Sequence, residues 1–361
     1  MICFINRSTV DYDIRLQKYV QACIETNTPY CVIAWDRLCN CSKVYPNEHQ
    51  YRVYAPYGAK WKNLIPLIGW VFYLWFMLIK LSPKYDVIHA CNLENCMLSY
   101  FMRVFGKNMV LDIYDSQDPQ KEVKIAKKIE GVILPSDQRL EQVGFDKKDV
   151  KNYIEIENVP VIKQAVSDKD KVEFPQLIHL TYVGIFQKSR GLENLIQFAL
   201  CEEKVVLDIA GIGGGLDEMV KGAAAKTNRI RYYGKVDYTK ALELMSECDF
   251  LVALYYLSDK DHKYASPNKY YESLALGKPI ITSKNTLVGN NVERYNTGYV
   301  IEDDLVSLQN VFKCIRSEDF MLDYLTKKKN CKSRWDNFYS SYFENKLKKD
   351  YFEFIEKAKL L

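Results

Sequence analysis

Residues 264–279 read YASPNKYYESLALGKP and run directly into the apolar sequence IIT at 280–282. The pattern predicts a short helix with both ends specified, because Ser266 is a good N-cap, Pro267 suits the first helical position, and GKP at 277–279 ends a helix. The apolar residues that follow predict a buried strand. A capped helix that leads into a buried strand is typical of an α/β fold with a parallel sheet.

The same segment carries a candidate binding site. Asn268 and Glu272 lie four residues apart and share a face of the helix. The free amides and the positive dipole end of the first turn, from Ser266 to Lys269, suit a diphosphate. A carboxylate one turn further on is placed to accept hydrogen bonds from a ribose. The segment therefore predicts a nucleotide-diphosphate site, with a purely structural capped helix as the alternative.

Composition excludes several classes of protein. At 361 residues, with 48% hydrophobic and 27% charged residues, the chain is predicted to be globular and to form two domains. The net charge of +4 is small for this length, and no aromatic-plus-basic motif is present, which argues against a nucleic-acid-binding protein. No Walker loop, nucleophile elbow or Ser-His-Asp order indicates a hydrolase.

The cysteines and histidines favour a metal-free protein of a reducing compartment. Eleven cysteines are scattered through predicted strands and helices, as in the cytosol. The pairs Cys39/Cys41 and Cys91/Cys96 lack the spacing of a zinc site, and the chain has only four histidines. We therefore expect no metal and no other cofactor. A strand is predicted at 2–5, and we therefore expect no signal peptide at the start of the sequence.

Both halves of the chain alternate short apolar runs with helices, which predicts parallel, doubly wound sheets. In the first half, strands are predicted at 2–5, 30–35, 87–89, 109–113, 131–134 and 151–166, with a helix at 14–25. In the second half, strands are predicted at 177–183, 204–210, 230–232, 250–254 and 280–282, with helices at 192–201 and 238–247. Two Rossmann-like halves imply a cleft between them, with ligands at the C-terminal ends of the strands.

The polar sequence SDKDK at 167–171 marks the predicted domain boundary. We predict an N-terminal domain at 1–166 and a C-terminal domain at 167–335. Aromatic and apolar residues at helical spacing after Trp335 predict a last helix, at 336–361, that packs back on the first domain.

Residues 64–79, LIPLIGWVFYLWFMLI, are the compositional outlier. Sixteen residues that include Pro66 and Gly69 are short for a transmembrane span. A helix that covers a sheet has one polar face, whereas this segment is apolar all round. It is therefore predicted either to be fully buried or to present its outer face to lipid or to a partner.

Two glycine-containing loops follow strands of the second half. In GIFQKSRG at 184–191, Gly184 allows close approach to the backbone, and the cations Lys188 and Arg190 suit a pyrophosphate leaving group, with an ordinary surface loop as the alternative. In GIGGG at 211–215, Gly211 and Gly213 give only a weak dinucleotide signal, which favours a tight βα turn.

Taken together, these segments resemble the retaining GT-B glycosyltransferases that use nucleotide-sugar donors, over nearly the whole chain. The resemblance rests on the joint order of short motifs. They are Asp13-x-Arg15, YDVIH at 85–89, DIYDS at 112–116, NVP at 158–160, YVG at 182–184, RGLENLI at 190–196, DIAG at 208–211, Gly234-x-Val236 and SPNKxxE at 266–272.

The resemblance implies transfer of a sugar, with retention of anomeric configuration and without a metal, from a UDP-type donor more than a GDP-type donor. It implies that Lys188, Arg190 and Glu272 act on the donor in the second domain. The donor-binding positions it implies are Gly184, Gly211, Gly213, Lys235, Val236, Tyr264, Ser266, Pro267, Asn268 and Lys269. On the acceptor side, in the first domain, the candidates are Arg7, Asp13, His89 and Asp115, although a cap for Asp115 and a purely structural role for His89 remain open.

Two positions depart from the family pattern. Tyr264 stands where the paired-Glu motif has its first Glu, eight residues before Glu272, and Ile185 stands where an Arg often follows the loop glycine. The leading hypothesis is a hexosyl-type transferase at the cytoplasmic face of a membrane, acting on a glycan or lipid-linked acceptor in surface polysaccharide biosynthesis, with peripheral membrane contact through 64–79. The alternatives are a non-catalytic nucleotide-sugar-binding partner subunit and a nucleotide-sugar 2-epimerase.

Overall fold

The computed structural model describes residues 1–56, 62–116, 118–162, 177–313 and 318–361. The chain forms two units, Met1–Asn158 with Tyr342–Leu361, and Val159–Ser341. It leaves the first unit after residue 158 and returns at 342, whereas the sequence placed these crossings at 166/167 and 335/336. The predicted linker at 167–171 lies outside the described residues.

Hydrogen bonds explain why the first unit ends near residue 158. The guanidinium of Arg15 donates to the carbonyl of Ile156 at 2.7 Å and to Oδ1 of Asn158 at 2.9 Å. The amide of Glu157 donates to the hydroxyl of Tyr342 at 2.6 Å. The outgoing segment and the start of the returning segment are therefore both bonded within the first unit.

The first unit contains a seven-stranded sheet in which every adjacent pair is parallel, in the order β3-β2-β1-β4-β5-β6-β7. Its strands are β1 (Ile2–Asn6), β2 (Tyr30–Asp36), β3 (Glu48–Arg52), β4 (Val87–Cys91), β5 (Asn108–Asp112), β6 (Gly131–Leu134) and β7 (Tyr153–Glu155). Edge strand β3 was not predicted, because its sequence EHQYR is polar. The segment 151–166 was predicted to be a last strand leading into a linker. Three of its residues form β7, residues 156–162 are not strand, and residues 163–166 lie outside the described residues.

The helices of this unit before the crossing are α1 (Ile14–Glu25), α2 (Leu64–Leu81), α3 (Asn92–Ser99), α4 (Pro119–Ala126) and α5 (Arg139–Val143). Two 3₁₀ turns, Tyr100–Phe105 and Lys147–Asp149, complete the connections. The helix predicted at 14–25 is confirmed as α1.

Two predictions were made for the apolar segment 64–79, full burial or an exposed outer face, and the structure of helix α2 excludes the first. Its inner face, which includes Trp70, Leu74 and Leu78, packs into the core against the sheet. Its outer face is exposed, with Ile65 at 82% and Phe72 at 64%. Full burial is therefore wrong. In the described part of the chain, α2 alone is long and apolar enough to cross a membrane by length and composition, with 28% of it buried.

The second unit repeats the topology of the first. Its six strands are all parallel, in the order β10-β9-β8-β11-β12-β13. They are β8 (Ile178–Val183), β9 (Val205–Ala210), β10 (Ile230–Tyr232), β11 (Phe250–Ala253), β12 (Ile280–Ser283) and β13 (Gly298–Ile301). In each sheet, the strand order reverses beside the first strand of that sheet. This is the switch point at which doubly wound sheets bind ligands, beyond the C-terminal ends of the strands.

The helices of the second unit are α6 (Leu192–Cys201), α7 (Asp217–Lys226), α8 (Tyr238–Glu247), α9 (Asn268–Ala275), α10 (Leu287–Tyr295), α11 (Leu305–Lys313) and α12 (Glu318–Phe338). Helix α9 begins at Asn268, and its N-cap is Pro267, in extended conformation and without a side-chain cap bond. The prediction of Ser266 as N-cap is therefore wrong, because the ψ of 148° at Pro267 delays the helix by one residue. The predicted end is confirmed, since Gly277 has a φ of +63° and donates its amide to Leu274.

The returning segment runs from a π-helical stretch, Phe343–Asp350, into α13 (Tyr351–Leu360). Its buried face joins the core beneath the first sheet through Leu347, Tyr351, Phe354 and Ile355. The C-terminal helix predicted to pack back on the first domain is therefore present.

Candidate functional site

Three loops meet at the C-terminal edge of the second sheet. The amide of Gly184, after β8, donates to Ala210 at 3.0 Å, and the amide of Gly211, after β9, donates to Gly234 at 2.8 Å. Gly211 has a φ of +141°, and a Cβ added there would lie 1.8 Å from the carbonyl oxygen of Gly184. Only glycine permits this close approach of the two loops.

The glycine-rich segment at 211–215 links β9 to α7 as the tight βα turn that the sequence favoured. The amide of Phe186 donates to the carbonyl of Gly213 at 3.0 Å, and the amide of Gly213 donates to Oδ1 of Asp217 at 2.8 Å. These bonds fix the turn to the first loop and to the start of α7. On the next loop, Lys235 is exposed and Val236 half-buried just before α8.

The two candidate cations of the first loop differ in their surroundings. Both lie in the 3₁₀ turn Lys188–Arg190, which the amide of Tyr256 anchors by donating to Ser189 at 2.9 Å. The Arg190 guanidinium lies 4.4 Å from the ring centroid of Tyr255. The Lys188 side chain is 78% exposed, with Nζ 3.9 Å from Glu193. Arg190 is therefore the cation whose side chain is held in place, by its contact with Tyr255.

Glu272, on α9, is the most unusual carboxylate of the second unit. It is fully buried, and its Oε2 accepts a 2.7 Å hydrogen bond from Nζ of Lys269. Its Oε1 is buried and has no hydrogen-bond partner within the described residues. Burying an acceptor without a donor costs free energy, so Oε1 is an oxygen that a bound hydroxyl would satisfy.

Two tyrosines that sequence reasoning missed surround these groups. Burial raises the pKa of the Tyr255 hydroxyl to about 12, Arg190 opposes this, and Glu272 adds to it. Burial, then the charge of Glu272 and a hydrogen-bond interaction with its carboxylate, raise the pKa of Tyr238. Arg190, Glu272 and both tyrosines therefore belong to one cluster. Their positions in the sequence could have identified both tyrosines, since Tyr255 comes just after β11 and Tyr238 is the first residue of α8, after the loop that follows β10.

A histidine also lies in this cluster. The ring of His262 is buried, 5.5 Å from the ring of Tyr255, and its Nδ1 lies 2.9 Å from the carbonyl oxygen of Tyr256. Burial, and then Arg190, lower the pKa of His262. The imidazole is therefore neutral at pH 7.

The segment that leads into α9 approaches the same edge. Tyr264 ends the 3₁₀ turn Lys260–Tyr264 and is half-buried, with Nζ of Lys263 4.9 Å from its ring. Ser266 is buried, whereas Asn268 and Lys269 form the half-buried first turn of the helix. The structure thus brings the predicted donor-binding positions of 264–272 together on one short segment.

The first unit holds a second buried carboxylate. Arg15 donates to both oxygens of Asp112, at 2.8 and 2.9 Å, and the hydroxyl of Tyr19 donates at 2.9 Å. Burial raises the pKa of Asp112, but Arg15 and then His89 outweigh it and lower this pKa to about 2. Asp112 is therefore a charged and satisfied structural group.

The structure corrects the placement of His89. It lies inside β4, which continues to Cys91, and it is fully buried, so it has no surface with which to contact an acceptor. Its Nδ1 lies 2.9 Å from the hydroxyl of Tyr351 on α13, and its Nε2 lies 3.5 Å from Asp112. Burial lowers its pKa. In this structure His89 connects the C-terminal helix to the core.

The other acceptor-side candidates lie at the C-terminal edge of the first sheet. Asp13 is the N-cap of α1, accepting from the amide of Leu16 at 2.9 Å and from Asn6 at 2.6 Å. Asp115 follows β5, is 78% exposed and pairs with Arg139 at 3.1 Å. Arg7 follows β1 and forms an ion pair with Glu94.

The second half of the chain resembles a known protein family. Residues 165–309 match the family described as glycosyl transferases group 1. An uncharacterized glycosyltransferase of Methanocaldococcus jannaschii is 25% identical over 150 residues, which are 37% of this chain and 37% of that protein. The matched region thus spans little more than a third of the curated relative.

Solved structures match over almost the whole chain. Sucrose-phosphate synthase from Thermosynechococcus elongatus has a TM-score of 0.74 at 16% identity, covering 98% of this chain and 99% of its own. Anabaena HepE, in complex with UDP and glucose, has a TM-score of 0.71 at 15% identity, covering 99% of each chain. The likeness to these solved structures supports a GT-B fold. The fold predicted from the sequence, two Rossmann-like halves of GT-B type, is confirmed.

The group 1 match covers the part of the chain that contains the cluster. It includes all six strands of the second sheet and both Arg190 and Glu272. Within the described residues, no group of three or more His, Cys, Asp or Glu side chains is placed to hold a metal ion.

Proposed function

We propose that this protein is a retaining, hexosyl-type glycosyltransferase whose donor is a nucleotide-diphosphate sugar, UDP-linked more than GDP-linked. The proposed acceptor is a glycan or a lipid-linked sugar in surface polysaccharide biosynthesis, at the cytoplasmic face of a membrane. The group 1 match in the second unit and the structural likeness to a protein solved with UDP support this proposal. One observation carries it: the buried Oε1 of Glu272 without a hydrogen-bond partner in the described chain.

The nucleotide end of the donor fits this carboxylate. A ribose presents two hydroxyl donors, and a hydrogen bond to a charged acceptor contributes about 1.5–3 kcal/mol. Nζ of Lys269 donates to Oε2 of Glu272 at 2.7 Å and so fixes the orientation of the carboxylate. We therefore assign Glu272 to the ribose and Lys269 to orienting the carboxylate.

The diphosphate end requires positive charge, because negative charge grows on the leaving group as the glycosidic bond breaks. Arg190 is half-buried and stacked on Tyr255, so its guanidinium is oriented before the donor binds. The amides of the first turn of α9 supply further donors. We assign Arg190 the larger share of leaving-group stabilisation and the exposed Lys188 the smaller.

The sugar end of the site differs from the family pattern at Tyr264. A half-buried phenol replaces the first carboxylate of the paired-Glu motif. We infer that the sugar is held here by ring packing and a hydroxyl, without a negative charge. Such a contact favours a sugar with an apolar face.

Peripheral membrane contact is proposed through the outer face of α2. This face carries large exposed apolar side chains along the whole helix, and Lys62 and Lys80 lie at its two ends. The exposed apolar residues are Leu64, Ile65, Ile68, Phe72, Trp75, Phe76 and Ile79. An apolar helix face with cations at its ends is typical of a segment that lies in a membrane interface.

A thermal-shift panel with UDP, GDP, ADP and their sugars tests the donor assignment, followed by an assay for donor-dependent release of the nucleoside diphosphate. A ligand at a hundred times its dissociation constant stabilises the native state by ~2.7 kcal/mol, which is a visible shift. We expect a UDP sugar to give the largest shift and to be turned over. Glu272→Gln should reduce the shift at that concentration to about half or less, whereas Glu293→Gln, which changes an exposed glutamate on α10, should leave it unchanged. Absence of any nucleotide binding would refute the proposal.

Tyr264 supports one alternative, a non-catalytic subunit that binds a nucleotide sugar, because the replaced glutamate is a sugar-contacting position of the family. Binding of a nucleotide sugar without turnover, with any acceptor, would favour it. A 2-epimerase would require an acid/base pair, and the neutral His262 beside Tyr255 is the nearest match. Interconversion of the nucleotide sugar without an acceptor would reveal that activity.

A further inference from the structure

Two arginines at the C-terminal edge of the first sheet lie over one indole. Arg7 follows β1 and Arg37 follows β2, which are adjacent parallel strands. Their guanidinium carbons lie 5.6 Å and 5.3 Å from the ring centroid of Trp35. Because both distances end at the same centroid, the two guanidinium carbons are at most about 11 Å apart.

The indole is a rigid platform. Trp35 is buried, its Nε1 donates to the carbonyl of Val53 at 3.0 Å, and its ring stacks on Trp70 at 5.8 Å. The backbone of Arg37 is also held, since its carbonyl accepts from the amide of Ala55 at 2.7 Å. Guanidinium groups stacked on a fixed ring lose less freedom when they bind an anion.

Two ion pairs at this edge involve arginine. Arg52, at the end of β3, lies 3.7 Å from Asp36, and Arg7 pairs with Glu94. Glu94 is 51% exposed, and exposed ion pairs contribute little, so an incoming anion can replace it on Arg7. A phosphate carries more negative charge than this glutamate and offers several oxygens, so it gains more than a carboxylate ligand would.

From this geometry we infer that Arg7 and Arg37 form a subsite for a phosphoryl group of the acceptor. The inference rests on the proposed function and adds a substrate class to it: the acceptor carries a phosphate or diphosphate. The strand C-termini where the two arginines lie are the ligand-binding edge of a doubly wound sheet. Two sources share this chemistry, a soluble sugar phosphate and a lipid-linked diphosphate.

The test is calorimetric titration of the full chain, saturated with the nucleoside diphosphate that gives the largest thermal shift, so that the donor site is filled. Glucose 6-phosphate is compared with glucose, and a short-chain polyprenyl diphosphate is compared with its polyprenol. We expect at least one phosphorylated probe to bind at least tenfold more tightly than its unphosphorylated partner. Arg7→Gln and Arg37→Gln should each weaken that probe about tenfold, without changing the affinity for the nucleotide.

Arg103→Gln is the matched control, because Arg103 also stacks on an aromatic ring, Tyr100, and pairs with a glutamate, Glu130. It should leave phosphate binding unchanged. Arg7→Lys and Arg37→Lys keep the charge and should retain part of the affinity, which separates recognition from misfolding. If the lipid probe binds best and Ile65→Ser weakens only that probe, the acceptor is lipid-linked. Equal or tighter binding of glucose 6-phosphate indicates a soluble acceptor.

The inference is overturned if neither phosphorylated probe binds more tightly than its partner, or if the arginine variants behave like Arg103→Gln. Either result with nucleotide binding intact removes the phosphate subsite and leaves the donor proposal in place. A chain that binds no nucleotide contradicts the proposed function itself, before the acceptor is tested.

Discussion

Asp112 in the first unit and Glu272 in the second are both completely buried carboxylates, and the two are satisfied to different degrees. Asp112, in the first unit, accepts from Arg15 on both oxygens and from Tyr19. Glu272, in the second unit, accepts from Lys269 on one oxygen, and its other oxygen has no hydrogen-bond partner in the described chain. Both side chains are 0% exposed.

This difference distinguishes a carboxylate that stabilises the fold from a carboxylate that binds a ligand. A buried charge is tolerated when its partners replace the lost water, as they do around Asp112. An oxygen left without a donor keeps the desolvation cost until something binds. Asp112 therefore belongs to the scaffold, whereas Glu272 is arranged for a ligand that brings its own donors.

The largest expected effect concerns the scaffold. Asp112→Asn should lower the free energy of unfolding by about 3–5 kcal/mol, because it leaves the Arg15 guanidinium buried without its counterion. Urea denaturation measures this. Asp115→Asn is the control, since that exposed carboxylate also pairs with an arginine, and its effect should stay below about 1 kcal/mol. Equal effects of the two substitutions would contradict the structural role of Asp112.

Next in size is the contrast between the two loop cations. Arg190→Gln should lower kcat about a hundredfold, because the oriented guanidinium stabilises the leaving diphosphate. Lys188→Gln should change kcat only a few-fold, because its side chain is 78% exposed. Steady-state kinetics with saturating donor measure kcat for the wild type and for both variants. A larger loss for Lys188→Gln would reverse the assignment of the two residues.

The pH dependence of stability follows from the lowered pKa of Asp112. Its folded pKa is about 2, against about 3.9 in an unfolded chain. The charged form is therefore favoured by folding, and its contribution is complete above the unfolded value and lost as the pH falls towards 2. The gap in unfolding free energy between wild type and Asp112→Asn should narrow by about 2 kcal/mol from pH 5 to pH 2. A gap that does not change with pH would contradict this pKa.

The smallest expected effect concerns the exposed face of α2. Phe76→Ser should weaken binding to vesicles of anionic phospholipid about tenfold, since it removes one large apolar side chain from the contact. Co-sedimentation with vesicles measures the change. Val306→Ser, an equally exposed apolar position on α11 in the second unit, is the control and should have no effect. If the two variants bind alike, α2 does not contact the membrane.

Much of the fold follows from local sequence. Helices 14–25, 192–201 and 238–247 end where the structure ends them, because apolar periodicity and caps are local signals. Strand β3 escaped prediction because it is a polar edge strand. The start of α9 was misjudged by one residue, since a Ser-Pro pair suits two neighbouring cap positions.

The site was predicted only in part, for a physical reason. Arg190 and Glu272 were linked by the resemblance to the GT-B glycosyltransferases, which implies that both act on the donor. The Arg15–Asp112 pair spans 97 residues, and nothing in either segment reveals the register that joins them. Tyr255 was missed because the chain contains 27 tyrosines, so one tyrosine near the end of a strand is a weak signal.

The most direct test of the ligand-directed role of Glu272 is a double-mutant cycle on the nucleotide. The dissociation constants of UDP and of 2′,3′-dideoxy-UDP are measured for the wild type and for Glu272→Gln; GDP and its dideoxy analogue are used if GDP gives the larger thermal shift. If Oε1 binds the ribose, loss of the hydroxyls should weaken binding to the wild type at least tenfold and to the variant much less. An equal loss in both proteins would show that Glu272 does not bind the ribose, and would contradict the account.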